Sequence, residues 1–384
     1  MMFPADDPVT DDPRPTALFQ ATASASVANS WTSVNGWSVA RVYSTVDEEY
    51  EAAQTSAAVA DLGAVIRYTA QGKDAAAVLA RATTAPVEGL IPGESARGLM
   101  LDDGGAVVDL VEAARLGGDF YLLCTTRPHA RRLQLAARGF EATVTDVTAR
   151  VAALAILGPD ARAAAAAAGL DSASELLGKQ GKVRGVETSS RPIHFGTLPG
   201  IELIFPFEEA LTIWERLRRA KAPRPIGLDA LEVFRIESGA PRPGVDFALA
   251  DETADRSLRR LPEVIGLTHL APADRAWFNG RRGMTTASRS GRRLVVAAVD
   301  GPAVAPGAAV FSGKKGVVGR VTSSAWSPRL RRAICFAEIL REAVGRPLEI
   351  ATAPAEEARV GSALFETPEA RLAGASSAGV AARR

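Results

Sequence analysis

Asp109 is the residue of this sequence that most demands a chemical explanation. It lies in LMLDDGGAVVDLVE (99–112), where two apolar pieces, Leu99–Leu101 and Ala106–Val111, flank a turn made of Asp102, Asp103, Gly104 and Gly105. Two consecutive glycines accept the positive φ angles of a tight turn, so the stretch predicts a β-hairpin. A carboxylate inside a β-rich apolar segment is costly to bury alone. Asp109 must therefore pair, face solvent at a strand edge, or line a polar pocket, and the local pattern leaves all three open. Other chemistry is thinner. GRRGMT (280–285) has residues that could cradle an anion but not the spacing of a phosphate loop, and it reads as an exposed turn. No GxxxxGK[ST], dinucleotide-type glycine fingerprint, GxSxG or HExxH occurs. His129, His194 and His269 are too scattered for a zinc site. The 44 acidic residues offer many carboxylate pairs and single out none.

The elements that position these residues read as α+β. Helical spacing covers 46–62, with Ser44-Thr45 as a start signal, and 64–70 suits a strand. Lys73–Ala82 is helical, Phe120–Cys124 is strand-like, and a helix begins at Pro128. VAALAILGPDARAAAAAAGL (151–170) is a strand followed by a helix; 185–190 and 200–205 are two further strands, and Glu208–Arg219 and the segment ending at Gly239 are helices. Short strand candidates around glycine turns make 291–352 a small barrel or sandwich.

The 384 residues, 47% apolar and 23% charged, can bury more than one core. A net charge of +1 with basic residues spread along the chain argues against a nucleic-acid partner, and RRL (131–133) and RLRR (329–332) read as solvated faces. No run of about 18 apolar residues suggests a membrane span. The first thirty residues have no signal-peptide pattern and read as a flexible or loosely docked arm; 373–384 read as a frayed tail. Cys124 and Cys335 build no disulfide framework, which suits a reducing, cytoplasmic setting.

A series of marks in fixed order adds to this reading. They are Gly36-Trp37, DEEYEAAQTSAAVADL, GKDA (72–75), TTAPVEGLIPGESARGLMLDDGGAVVDLVE, LGPDA (157–161), GIEL (200–203), GLDALEVFRIESG (227–239), GVDF (244–247), PEVIGL (262–267), FNG (278–280), GRVTSSAWSP (319–328) and LFETPEARL (364–372). Their order resembles the glycine-cleavage T-protein (aminomethyltransferase) superfamily, which includes tetrahydrofolate-dependent demethylases. That resemblance implies a three-domain cloverleaf with a C-terminal β-barrel and tetrahydrofolate as cofactor. The expected divisions are a flexible arm at 1–30, a first α/β domain at 31–150, a second at 151–290, the barrel at 291–372 and a tail at 373–384.

Carried over residue by residue, the resemblance makes Asp109 the carboxylate near the atoms that exchange the one-carbon unit. There a fixed negative charge can orient an amine, stabilise an iminium-like cation or relay a proton. Glu202, in GIEL, matches the carboxylate that receives the pterin NH groups, a role suited to an acceptor-only side chain. Arg191, Arg235 and Arg371 match family positions and suit an anionic folate; Arg235 and Glu237 in RIES could equally form a structural ion pair. The departures are Val108, where the family has a second Asp, and Ala64, Leu231 and Pro243, where it commonly has polar residues. WFNGRRGM lacks the cysteine motif of the iron–sulfur-maintenance branch. The expected function is transfer of a methyl or other one-carbon unit from a small O-, N- or S-methyl donor to tetrahydrofolate. The alternatives are glycine-cleavage aminomethyl transfer, which alone would require a carrier protein, and a non-catalytic folate-binding or assembly role.

Overall fold

The computed structural model describes residues 3–7, 12–170, 179–183, 186–220, 223–272, 277–286, 291–300, 304–313, 316–351 and 360–366. The chain divides into two compact units. One comprises Met1–Met100, Asp109–Leu231 and Ala276–Asn279; the other comprises Leu101–Val108, Glu232–Arg275 and Gly280–Arg384. The units cut across the boundaries expected at 150/151 and 290/291, because segments distant in sequence pair in space. The α+β content and the C-terminal barrel are as expected.

The first unit is built on sheets. A six-stranded sheet runs Lys179–Val183, Val186–Phe195, Leu198–Pro206, Val151–Leu157, Ala58–Asp61, Arg224–Pro225. A five-stranded sheet runs Ser95–Leu101, Val107–Gly117, Phe120–Thr125, Ile66–Gln71, Thr143–Asp146. The alternation of the six-stranded sheet packs Leu154, Ile156, Leu203 and Phe205 against Ile213, Trp214 and Leu217 of the helix Ala210–Ala220.

Two expectations in this unit change. The helix that begins at Val46 is capped by Thr45, whose side chain accepts from Glu48 N at 3.2 Å, but it ends at Thr55. AVAD then forms the strand Ala58–Asp61, paired with Leu154–Leu157, since small apolar residues fill a central strand as readily as a helix face. The N-terminal arm is partly built into the fold. Arg14–Pro15 pairs in parallel with Trp37 and Ser38, Phe19–Ala23 is a helix, and Phe3, Leu18 and Thr22 are buried. The tail at 373–384 lies outside the described residues.

The second unit contains a closed six-stranded barrel in the order Arg292–Val299, Arg332–Leu340, Val317–Ser327, Ala309–Phe311, Leu348–Ala351, Val360–Glu366. Val295, Val299, Val310, Ile339 and Ile350 fill it. The tip of the predicted hairpin also belongs here: Asp102 N donates to Ala106 O at 2.9 Å and Gly105 adopts φ +82°. GRRGMT is not an exposed turn, because residues 281–286 form a short helix against this tip. A Cβ on Gly283 would stand 2.2 Å from the Gly104 carbonyl carbon, and one on Gly105 would stand 2.5 Å from Met284 N. Only glycine permits that approach.

Candidate functional site: a saturated aspartate and a buried charge quartet

Asp109 and Glu112 lie three residues apart on the strand Val107–Gly117, so they point to opposite faces of the five-stranded sheet. The register pairs Val111 with Thr125, and the neighbouring strand ends there. Asp109 therefore lies beside backbone that has lost its ladder partners, and its carboxylate takes their place. Oδ2 accepts from Thr126 N at 3.0 Å, Arg127 N at 3.0 Å and His129 Nε2 at 2.9 Å. Oδ1 accepts from Leu110 N at 2.7 Å and from the Thr126 hydroxyl. Five donors fill a carboxylate with about four lone-pair sites, and Asp109 is fully buried. Because a carboxylate only accepts, His129 donates through Nε2, and its backbone N donates to the Tyr68 hydroxyl at 2.7 Å.

On the other face, cross-strand neighbours Glu112, Cys124 and Arg67 form one row. Arg191 and Glu202 form a second row on the six-stranded sheet. The two rows meet in a chain of four alternating charges: Glu112, Arg191, Glu202, Arg67. Arg191 Nη1 reaches Glu112 Oε1 at 2.5 Å, Arg191 Nε pairs with Glu202 Oε2, and Arg67 Nη2 reaches Glu202 Oε1 at 3.0 Å. Arg67 Nη1 also donates to Leu62 O and Val65 O, both at 2.9 Å. All four side chains are buried. The alternation lets each charge meet an opposite one, which offsets the cost of taking them from water.

The electrostatics follow from this order. Burial is the largest influence and would raise the Glu112 carboxyl, but Arg191, joined by smaller contributions that include Arg97 and the Ser95 hydroxyl, outweighs it and the group is held at about 2. Burial likewise opposes Glu202, and Arg191 with Arg67 brings its carboxyl below the usual range. Cys124, 3.9 Å from Arg191 Nη2, is pushed up to about 11 by burial despite the nearby arginines, so it stays a thiol.

The structure thus brings together Glu202 and Arg191 of the expected residues, and places Asp109 on the opposite face of its strand. Arg235 belongs to the other unit, where it pairs with Glu232 and with Asp246 Oδ2 at 2.5 Å and donates to Ser323 Oγ at 2.7 Å. It does not pair with Glu237, which accepts from Ser327 Oγ at 2.5 Å and lies 3.4 Å from Arg329. Arg371 lies outside the described residues. Sequence reasoning missed Arg67, Glu112 and His129. The first two carried the signal that marked Asp109, a charge inside an apolar strand pattern; His129 carried none.

The geometry can be set beside known proteins. Residues 21–262 match the GCVT N-terminal domain, and residues 292–365 match the glycine cleavage T-protein C-terminal barrel domain. The chain belongs to the glycine cleavage T-protein family. An aminomethyltransferase of Streptomyces coelicolor is 30% identical over 320 residues, 79% of this chain and 84% of the relative. A probable aminomethyltransferase of Haloarcula marismortui is 26% identical over 324 residues, covering 81% and 86%. The solved structure of glycine cleavage system aminomethyltransferase T from Bartonella henselae covers 93% of this chain and 98% of its own, with 19% identity and a TM-score of 0.80. The chain therefore has the aminomethyltransferase fold, and proteins of this T-protein family use tetrahydrofolate.

The described residues do not fit a pterin at Glu202 as they are arranged. Each carboxylate oxygen already faces a guanidinium. The cavity bounded by Val65, Glu112, Cys124, Thr125, Thr126, Arg191 and Glu202 measures about 10 Å³, room for no more than a water. One row along the same strands, two residues from Arg67, Cys124, Arg191 and Glu202, the side chains of Thr69, Leu122, Ser189 and Ile204 line a cavity of about 950 Å³. That volume is in the range of small-molecule sites.

Proposed function

We propose that this T-protein family member transfers a methyl or other one-carbon unit from a small O-, N- or S-methyl donor to tetrahydrofolate. The observation that carries the reading is the family match across both the N-terminal region and the barrel. What favours a small donor is that Ala64, Leu231 and Pro243 are buried apolar residues, at positions where the resemblance has polar ones. Glycine-cleavage aminomethyl transfer is the second reading, favoured by the relatives named aminomethyltransferase.

Under either reading Asp109 is a positioning residue. Its five donors fix the Thr126–His129 turn, and the hydrogen bond it takes from His129 Nε2 leaves Nδ1 of a neutral imidazole as an acceptor. Glu202 and Arg191 supply a buried charge pair of fixed orientation. The test is incubation with tetrahydrofolate and a panel of methoxy, methylamino and methylthio compounds, with the folate product read by mass. Methyl- or methylene-tetrahydrofolate formed from a small donor is expected. Product only with glycine and a lipoyl carrier protein would select the second reading, and tetrahydrofolate binding without product from any donor would select the non-catalytic role.

A further inference from the structure

We propose that the cavity of about 950 Å³ between the two sheets of the first unit is a ligand site of its own, for a two-ring aromatic carboxylate with a hydroxyl at its far end. The site is distinct from the transfer chemistry and does not depend on it.

Packed interiors leave few voids larger than a water molecule, so a space of this size between two sheets calls for an occupant. Its lining changes from the inside outwards. Thr69 pairs across strands with Leu122, and Ser189 with Ile204, so each inner wall carries one hydroxyl beside one buried apolar side chain. Among the described residues neither hydroxyl has a partner. Leu116, Phe120 and Phe207, all half-buried, continue the lining with aliphatic and aromatic surface. Arg150 stands exposed at the mouth, and its guanidinium forms no ion pair among the described residues.

The spacing sets the length of the ligand. Ser189, Ile204 and Ala153 are successive cross-strand neighbours, and Arg150 precedes Ala153 by three residues. At strand rise the cation therefore lies about 10 Å from the hydroxyl row. One ring with polar groups at opposite ends falls short of that span, whereas two fused rings bridge it.

Charge sets the ends. A carboxylate meets the planar donor fork of Arg150, and a hydroxyl exchanges hydrogen bonds with Thr69 and Ser189. The inner rows hold no carboxylate among the described residues, so an aminopyrimidinone edge, which wants an acceptor-only partner, finds none there. Glu208, also exposed at the mouth, is the lining group that opposes an anion.

The probe is 6-hydroxy-2-naphthoate, titrated into the full chain by calorimetry with and without saturating tetrahydrofolate. A dissociation constant of about 1 mM or tighter is expected, unchanged by tetrahydrofolate. The corresponding amide, which lacks the charge, and 2-naphthoate, which lacks the hydroxyl, should each bind about fivefold more weakly. Arg150→Met should erase the first difference and Thr69→Val/Ser189→Ala the second, both at the thermal midpoint of the unaltered protein. Glu208→Gln should tighten the acid about twofold. Ser189→Phe, which fills the cavity, should abolish binding; should it fail to fold, the other variants still decide. No binding of the acid, equal binding of acid and amide, or a difference that survives its matching variant would overturn the proposal. Displacement of the naphthoate by tetrahydrofolate would also overturn it, because the cavity would then belong to the folate. None of these results bears on one-carbon transfer, which the folate product reads separately.

Discussion

Replacing Asp109 with Asn keeps the shape of the side chain and removes one acceptor edge, so its cost can be worked from the five bonds. The amide fits best with its NH2 on the Oδ1 side, because Oδ2 takes three donors and Oδ1 two. The Thr126 hydroxyl can turn and accept from the new NH2. Leu110 N cannot, and it becomes a buried unpaired donor at about 1–3 kcal/mol. The three bonds on Oδ2 lose their charge assistance, at roughly 0.5 kcal/mol each. The total is about 3 kcal/mol, a large share of a typical folding free energy of about 5–15 kcal/mol. Urea unfolding followed by circular dichroism measures it, read as a lower midpoint at constant slope. A loss below about 1 kcal/mol would refute the account of Asp109 as the acceptor that holds the Thr126–His129 turn. A large loss of tetrahydrofolate turnover with unchanged stability would put the carboxylate on the reactants instead.

Other outcomes follow from the same contacts. Arg67→Met should cost about 3–5 kcal/mol, since it strips donors from Leu62 O and Val65 O and leaves Glu202 to Arg191 alone; combining it with Glu202→Gln should recover part of that loss in the same urea experiment. Glu112 has a carboxyl depressed from 4.5 to about 2, so its stabilisation is complete above about pH 4.5 and is lost as the pH falls towards 2. Urea midpoints measured across that window should fall less steeply in Glu112→Gln than in the unaltered protein. Gly283→Ala should destabilise by about 2 kcal/mol or more, because its Cβ meets the Gly104 backbone rather than a side chain that can swing away; a thermal midpoint equal to that of the unaltered protein would contradict the packing described for the hairpin tip.

The hairpin at 99–112, the strand–helix order from 151 to 170 and the barrel strands after 291 were legible because glycine turns and period-two apolar runs mark them locally. The helix from Val46 was legible at its start, where Thr45 and three acids announce it, and not at its end, where Ala57–Ala60 suits helix and strand alike. The site was legible as single charges and illegible as an arrangement. Asp109 stood out in its strand, yet only the register shows that it lies beyond the last ladder bond of the neighbouring strand. Glu202 was found through resemblance and Arg67 was passed over, although the two touch across 135 positions of sequence. No spacing rule reaches that far. Which charges neutralise one another is decided by how two sheets face, and that is a property of the packed unit.

The quartet also limits how this sequence can drift. Its four members belong to the strands Ile66–Gln71, Val107–Gly117, Val186–Phe195 and Leu198–Pro206, so no short stretch of gene encodes them together. Loss of any one first leaves the buried chain of charges with a net charge, whereas loss of all four in favour of well-packed apolar residues can be neutral or stabilising. The intermediates are worse than either end. A lineage carrying this motif is therefore held in a local optimum: substitutions should appear as compensating pairs, Glu112 with Arg191 or Glu202 with Arg67. A library that randomises all four positions together should yield stable apolar solutions that one-at-a-time mutagenesis never reaches.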